Sequence, residues 1–393
     1  MTQAHAPGTT LASRALTVLR GNVAELPPAC FAVVMATGIV SIGAYQLGLL
    51  VPSRVVMAFA VVAYVLLVVL SAWRALAYPH RVLDDLHDPT RAFGFFTSVA
   101  GTNVVAICLK AVGVPGGALA LLVVSSLGWL VLGYLVPWFA VLGRAERPVL
   151  ALANGSWFVW VVAAQSMAVV SATLEPLYAD GRHVLSVIAV MCWSIGLILY
   201  CACAVFLSLR LLVYPLSPRN IDPPYWVAMG SLAISVVAGA LIVEMESAPM
   251  VDAVRGLVAG LALVLWCFAT WLIPVLVALG IWRHWIKKLP LSYHASWWSI
   301  VFPLGMYAVA GMYLGRADRL PLLTEIGQWF YWVAALAWAA AFVAMTHSGL
   351  RSVLAHRVRR TAVPAAREKG QPADGAGPGP HGPPGSCPTA GKP

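Results

Sequence analysis

Charge is what this sequence has least of. Only 10% of its 393 residues are Asp, Glu, Lys or Arg, against roughly 25% in soluble globular domains, while 61% are hydrophobic. That balance excludes a free-standing soluble enzyme and makes lipid the solvent for most of the chain. A disulfide framework is lacking too. Of seven cysteines, Cys30, Cys108, Cys192, Cys201, Cys203 and Cys267 fall in apolar runs and Cys387 in the tail, which is no framework spacing. Cys201 and Cys203 are two apart and would point to different faces of a helix, which favours packing over metal binding. The first 25 residues hold no short apolar core with a small-residue cleavage site, so no secretory leader is expected, and the first apolar run is expected to do the targeting.

What is present is a series of long apolar runs. A hydrocarbon core about 30 Å thick takes about 20 residues of helix, and ten runs meet that length: 28–50, 54–77, 93–112, 116–142, 153–174, 184–209, 224–243, 256–282, 295–314 and 325–348. With ten spans both termini share a side. Nineteen of the 25 Lys and Arg residues fall on that side, and the positive-inside bias makes it cytoplasmic. The net charge of +10 is thereby a topology signal, and no nucleic-acid partner is implied. Three regions follow: a cytoplasmic segment 1–26, a transmembrane transport domain 27–354, and a Pro/Gly-rich tail 355–393, expected to be disordered for want of large apolar residues.

Odd and even spans differ. Hydroxyls four apart, hence on one helical face, occur at Thr37 and Ser41, Ser98 and Thr102, and Ser231 and Ser235; no even span has such a pair. Span five carries Gln165 and Ser166, and span three also holds Asn103. The pattern predicts five hairpins with the odd helices inward, although small and hydroxylated residues also serve plain helix packing. Gly256 with Gly260 and Gly311 with Gly315 read as close helix contacts. Trp157, Trp160, Tyr225, Trp226, Trp297 and Trp298 read as interfacial belts.

Between their ends the odd spans contain no Asp, Glu, Lys, Arg or His, residues that at membrane depth generally mark relays. An uncharged, channel-like path is expected, with Lys110, Arg219 and Arg255 as candidates for attracting anions at its ends. The cluster Asp84, Asp85, His87 and Asp88 fits Asp88 as a helix cap followed by Pro89 better than a metal site. No cofactor, metal or catalytic constellation is expected. A sensor or scaffold acting through the tail is the remaining non-transport reading, and the tail holds no docking motif.

Six stretches are similar to the tellurite-resistance/dicarboxylate transporter family: CFAVVMATGIVSIG, DDLHDPTRAFGFFTSVAGTNV, NGSWFVWVVAAQSMAV, PPYWVAMGSLAIS, FATWLIPVLVALGIWRH and WWSIVFPLGMY. They occur in order across residues 27 to about 350. That family includes the plant slow-type guard-cell anion channel, fungal malate permeases and sulfite exporters. The resemblance implies an all-α membrane fold of ten helices, as five hairpins in quasi-fivefold arrangement around a pore, usually as a homotrimer. It also implies that Phe302 plugs the pore. Pro303 would bend the lining helix, and Gly305 would line it. Four-carbon dicarboxylates such as malate are the implied cargo; sulfite, tellurite, chloride or nitrate is the alternative. One departure stands out: the family's inner helices are commonly kinked by proline, whereas spans three and five have none inside, and Pro137 and Pro274 sit in even spans.

Overall fold

The structure is a computed structural model that describes residues 19–143, 148–215, 217, 218, 220–246 and 248–361, with side chains as far as residue 351. Arg219, the first 18 residues and the tail from 362 onward lie outside the described residues.

Among the described residues, ten helices are long and apolar enough to cross a membrane. They are α1 (Ala32–Gln46), α2 (Leu50–Ala77), α3 (Phe96–Ala111), α4 (Pro115–Pro137), α5 (Phe158–Leu174), α6 (Arg182–Val213), α7 (Val227–Glu244), α8 (Pro249–Ile281), α9 (Trp298–Ala317) and α10 (Pro321–Thr361). The chain divides after Met345 into two units; the first holds nine whole spans and most of the tenth, and α10 is helical to Thr361. Helix thus continues beyond residue 354, where the tail was expected to begin.

Consecutive helices pair as hairpins: α1 on α2, α3 on α4, α5 on α6 and α7 on α8. The fifth pair meets through glycine. A Cβ placed on Gly311 would lie 2.8 Å from the Leu323 carbonyl oxygen, and one on Gly315 2.3 Å from Thr324 Oγ1. The odd helices also pack on one another in chain order, α1 on α3, α3 on α5, α5 on α7 and α7 on α9, and α9 returns to α1. Five inner helices thereby close a ring. Between 72 and 89% of each inner span is buried, against 6 to 44% of each outer one.

Local signals repeat around this ring. Every inner helix is entered through a 3₁₀ turn ending in an aromatic residue: Pro28–Phe31, Ala92–Phe95, Gly155–Trp157, Pro223–Trp226 and Ala295–Trp297. At the far end, three hairpins turn through one residue in the left-handed region: Gly48 (φ 75°), Gly113 (φ 82°) and Arg319 (φ 56°). In each, the next N–H reaches back five residues, Leu49 to Ala44, Val114 to Leu109 and Leu320 to Gly315, as in a Schellman close. Pro115 and Pro249 then start α4 and α8, where a missing N–H costs no intrahelical bond.

Three expectations are corrected. Gly256 and Gly260 have no neighbour within 4 Å of a built Cβ, so they are not contact points between helices of this chain. Trp157, Trp298 and Tyr225 are buried rather than interfacial. Trp157 stacks on Phe93 at 4.8 Å and donates its indole N–H to the Pro89 carbonyl, because the inner helices begin inside the ring of outer ones; the exposed tryptophans, such as Trp271 and Trp329, sit on even helices. Asp88 does not cap α3. Its carboxylate takes the Thr90 N–H and hydroxyl, and the turn into α3 starts only at Ala92. Asp85 is held by Arg74 (2.5 Å) and Arg91 (3.0 Å).

Candidate functional site: an axial cavity inside the helix ring

One cavity, of about 30 Å³, is lined by all five inner helices and by no outer helix. This is room for one or two waters. Its wall is Ile39 and Ile42 of α1, Val104 and Ile107 of α3, Ser166, Val169 and Thr173 of α5, Ile234 and Val237 of α7, and Met306, Val309 and Tyr313 of α9. No charged side chain lines it. Its hydroxyls have little to offer an anion, since Ser166 donates to the Ala163 carbonyl and Thr173 to that of Val169.

Phe302 precedes Met306 by four residues, Val309 by seven and Tyr313 by eleven, the spacing that keeps residues on one helical face. It therefore shares the cavity-lining face of α9, one turn before the cavity, is buried (2% exposed), and is not itself among the lining residues. Its flanks are fixed by neighbours in the ring. Pro303 fills the space over Gly230 of α7, where a Cβ would come within 2.8 Å of the proline ring, and Gly305 admits Ile39 of α1 at 2.7 Å from a built Cβ. Counting from the aromatic that ends each entering turn, the residues level with Phe302 are Ala36, Ala100, Val162 and Ser231, all buried. By the same four- and seven-residue spacing, the residues on the cavity face at this level are Met35, Ala100, Val162 and Gly230.

The polar candidates are placed differently. Among them only Ser166 lines the cavity. Most of the rest reach outward or hold their own helix. Thr37 accepts the Trp338 indole N–H from α10 (3.1 Å). Ser41 and Ser53 donate to each other's carbonyls across the α1–α2 turn. Thr102 meets the Tyr64 hydroxyl of α2 at 3.0 Å, and Gln165 donates to the Trp193 carbonyl of α6. Ser98, Ser231 and Ser235 donate to carbonyls of their own helices or of the turn before them. Asn103 is a junction, donating to Ser166 of α5 (2.8 Å) and accepting from Ser125 of α4 (2.6 Å). These bonds fasten the ring to its outer helices.

At the far end of the cavity Arg255 is tied to the Val243 and Met245 carbonyls and to Asp252, closing the C-terminus of α7, and Lys110 lies in the last turn of α3. A basic residue that the sequence did not single out lies closer to the cavity. Arg316 sits 5.2 Å over the ring of the cavity-lining Tyr313 and donates to Gln46 of α1. Only the knowledge of which face of α9 meets the axis distinguishes it from an ordinary topology anchor. The aliphatic lining was missed for a similar reason, because Ile, Val and Met carry no polar signal.

Ten membrane helices, five of them ringing a narrow uncharged cavity, define a polytopic protein of the channel and transporter class. Residues 25–346 match the SLAC1 voltage-dependent anion channel family, and the chain belongs to that family. It is 53% identical over 149 residues to an uncharacterized membrane protein of Mycobacterium tuberculosis, covering 38% of this chain and 76% of that protein. It is 23% identical over 331 residues to an uncharacterized transporter of Methanocaldococcus jannaschii, covering 81% of this chain and 92% of that one. A sulfite efflux pump of Arthroderma benhamiae is 22% identical over 345 residues, with 81% of this chain and 90% of the pump covered.

Proposed function

We propose that the protein passes small anions across the cytoplasmic membrane along the axis of the inner ring, with Phe302 as the constriction. What supports this reading is a cavity lined by all five inner helices, with buried Phe302 four and seven residues before its lining residues Met306 and Val309 on α9. An aromatic ring filling a narrow apolar lumen can gate by dewetting.

The wall also bears on cargo. With no charged side chain and with Ser166 and Thr173 bonded to their own helix, it does little to replace an ion's hydration, and the cost of stripping water rises with the square of the charge. Singly charged inorganic anions, hydrogensulfite among them in keeping with the sulfite cargo named for the fungal relatives, are favoured over the dianions of four-carbon dicarboxylates such as malate, the cargo implied by the sequence resemblance. Lys110 and Arg316 raise the local anion concentration at one mouth, and Arg219 is assigned the same role at the other. Arg255 contributes less, its guanidinium being already engaged. The distribution of Lys and Arg places both termini in the cytoplasm, and assembly as a homotrimer is carried over from the resemblance. No catalytic step and no cofactor is assigned.

The test is anion flux in liposomes with sulfite, nitrate, chloride and malate, before and after Phe302→Ala. Flux should rise in the variant, most for the small inorganic anions. Equal flux in variant and parent, both verified in the membrane, overturns the gate; malate outrunning the others overturns the cargo.

A further inference from the structure

A second cavity, of about 340 Å³, lies away from the axis, between the turn entering α7 and the end of α8. Its wall is mostly apolar, including Leu276 and Ile281 of α8, Ile300 of α9 and the exposed Trp285. Two charged residues also line it, Asp222 and Arg283. Each keeps one buried polar atom without a hydrogen-bond partner among the described residues, Asp222 Oδ1 and Arg283 Nε. The two do not form an ion pair with each other, and one Arg283 Nη donates instead to the Ile221 carbonyl. Burial pushes the Asp222 carboxyl above its ordinary range, an effect the nearby Arg283 charge opposes. Buried polar groups are almost always satisfied, so a carboxylate and a guanidinium that line one cavity with bonding capacity to spare point to an occupant.

We propose that this groove seats the headgroup of a phospholipid bearing phosphoethanolamine, its phosphate at Arg283 and its primary ammonium at Asp222. The position suits a lipid. The groove opens where the apolar surface of α8 gives way to the run RHWIKK, with Trp282 and Trp285 at the level where aromatic belts lie, and basic pockets of this kind bind phospholipid heads. The chemistry selects among lipids. An anionic glycerol headgroup, like free inorganic phosphate, would satisfy Arg283 but set a second negative charge near Asp222. A choline headgroup carries no N–H for the carboxylate. Only a molecule with both an anion and a hydrogen-bonding ammonium answers both groups. The α8 surface from Leu276 to Ile281 would carry the acyl chains.

The test uses the full chain purified in detergent, with phosphatidylethanolamine, phosphatidylcholine or phosphatidylglycerol added separately. Retained lipid is read by native mass spectrometry and the unfolding midpoint by tryptophan fluorescence. The ethanolamine lipid should be retained about tenfold better than the other two, the worth of one charge-assisted hydrogen bond, and should raise the midpoint most. Asp222→Asn should remove that preference while leaving the choline lipid's retention unchanged. Soluble phosphoethanolamine, lacking chains, should compete only weakly; strong competition would assign the site to a soluble ligand and overturn the lipid. Equal retention of all three lipids by the parent protein, or an Asp222→Asn variant that keeps the preference, overturns the headgroup assignment. Should Asp222→Asn fail to fold, the comparison of the three lipids on the parent protein decides alone.

Discussion

The inner and outer helices are built from similar apolar alphabets, yet they solve different problems. Outer helices such as α2 and α4 present Val and Leu to lipid, with Val51, Val62, Leu127 and Val131 well exposed, while their polar groups either bond their own helix, as Ser126 does to Leu122, or turn inward, as Tyr64 does to Thr102 and Ser125 to Asn103. Inner helices are buried on every side, so their polar groups find protein partners, some in their own helix, as Ser231 and Ser235 do, and some in other helices, as Asn103 does in two. The difference teaches that hydroxyls here mark the seam between ring and shell rather than the axis. The axis is aliphatic.

Several substitutions would break or sharpen that contrast. The largest effect is expected at Phe302. If the ring fills a lumen, Phe302→Ala raises flux severalfold in liposomes and costs little stability, whereas a plain core phenylalanine would lose about 3–5 kcal/mol with flux unchanged. Next comes Asn103→Ala, which removes one inter-helix bond each from Ser125 and Ser166, leaving them only the Leu122 and Ala163 carbonyls of their own helices, and should destabilise by about 1–3 kcal/mol in detergent unfolding; Ser126→Ala, on the shell, should stay within about 0.5 kcal/mol.

The glycines sharpen the comparison further. Gly230→Ala sets a methyl against Pro303 at 2.8 Å and should cost about 1–3 kcal/mol by overpacking, with altered flux because α9 must shift. Gly256→Ala meets no neighbour and should stabilise by about 0.5–1 kcal/mol through helix propensity. A loss there, seen as a lower unfolding midpoint, would mean that this outer face is covered by another molecule. The smallest change is expected at Arg319, the one non-glycine among the three left-handed hairpin turns. Arg319→Gly relieves a conformation disfavoured by about 1–2 kcal/mol, partly offset by the entropy of glycine, and a slightly higher unfolding midpoint checks it.

Much of the fold was legible in the sequence. The ten spans, the odd–even alternation and the Gly311/Gly315 contact appear as expected, because span length, hydroxyl content and small-residue spacing are local properties that lipid as a solvent enforces. Gly256 and Gly260 show the limit of the same rule: identical spacing on an outer helix faces open space. The hydroxyl pairs show it again. Their restriction to odd spans marked which helices are buried, but the direction of Thr37 toward α10 and of Ser41 and Thr102 toward α2 depends on partners such as Trp338 that lie far along the chain.

The sequence by itself determined how many times the chain crosses the membrane and which helices are enclosed, since each crossing must supply its own apolar length and satisfy its own backbone. Which face of an enclosed helix meets the axis was decided only by tertiary structure. A helix buried all round has no polar side to give direction to its pattern, so Phe302, Met306, Val309 and Tyr313 become one line only when α9 is wedged between Gly230 and Ile39.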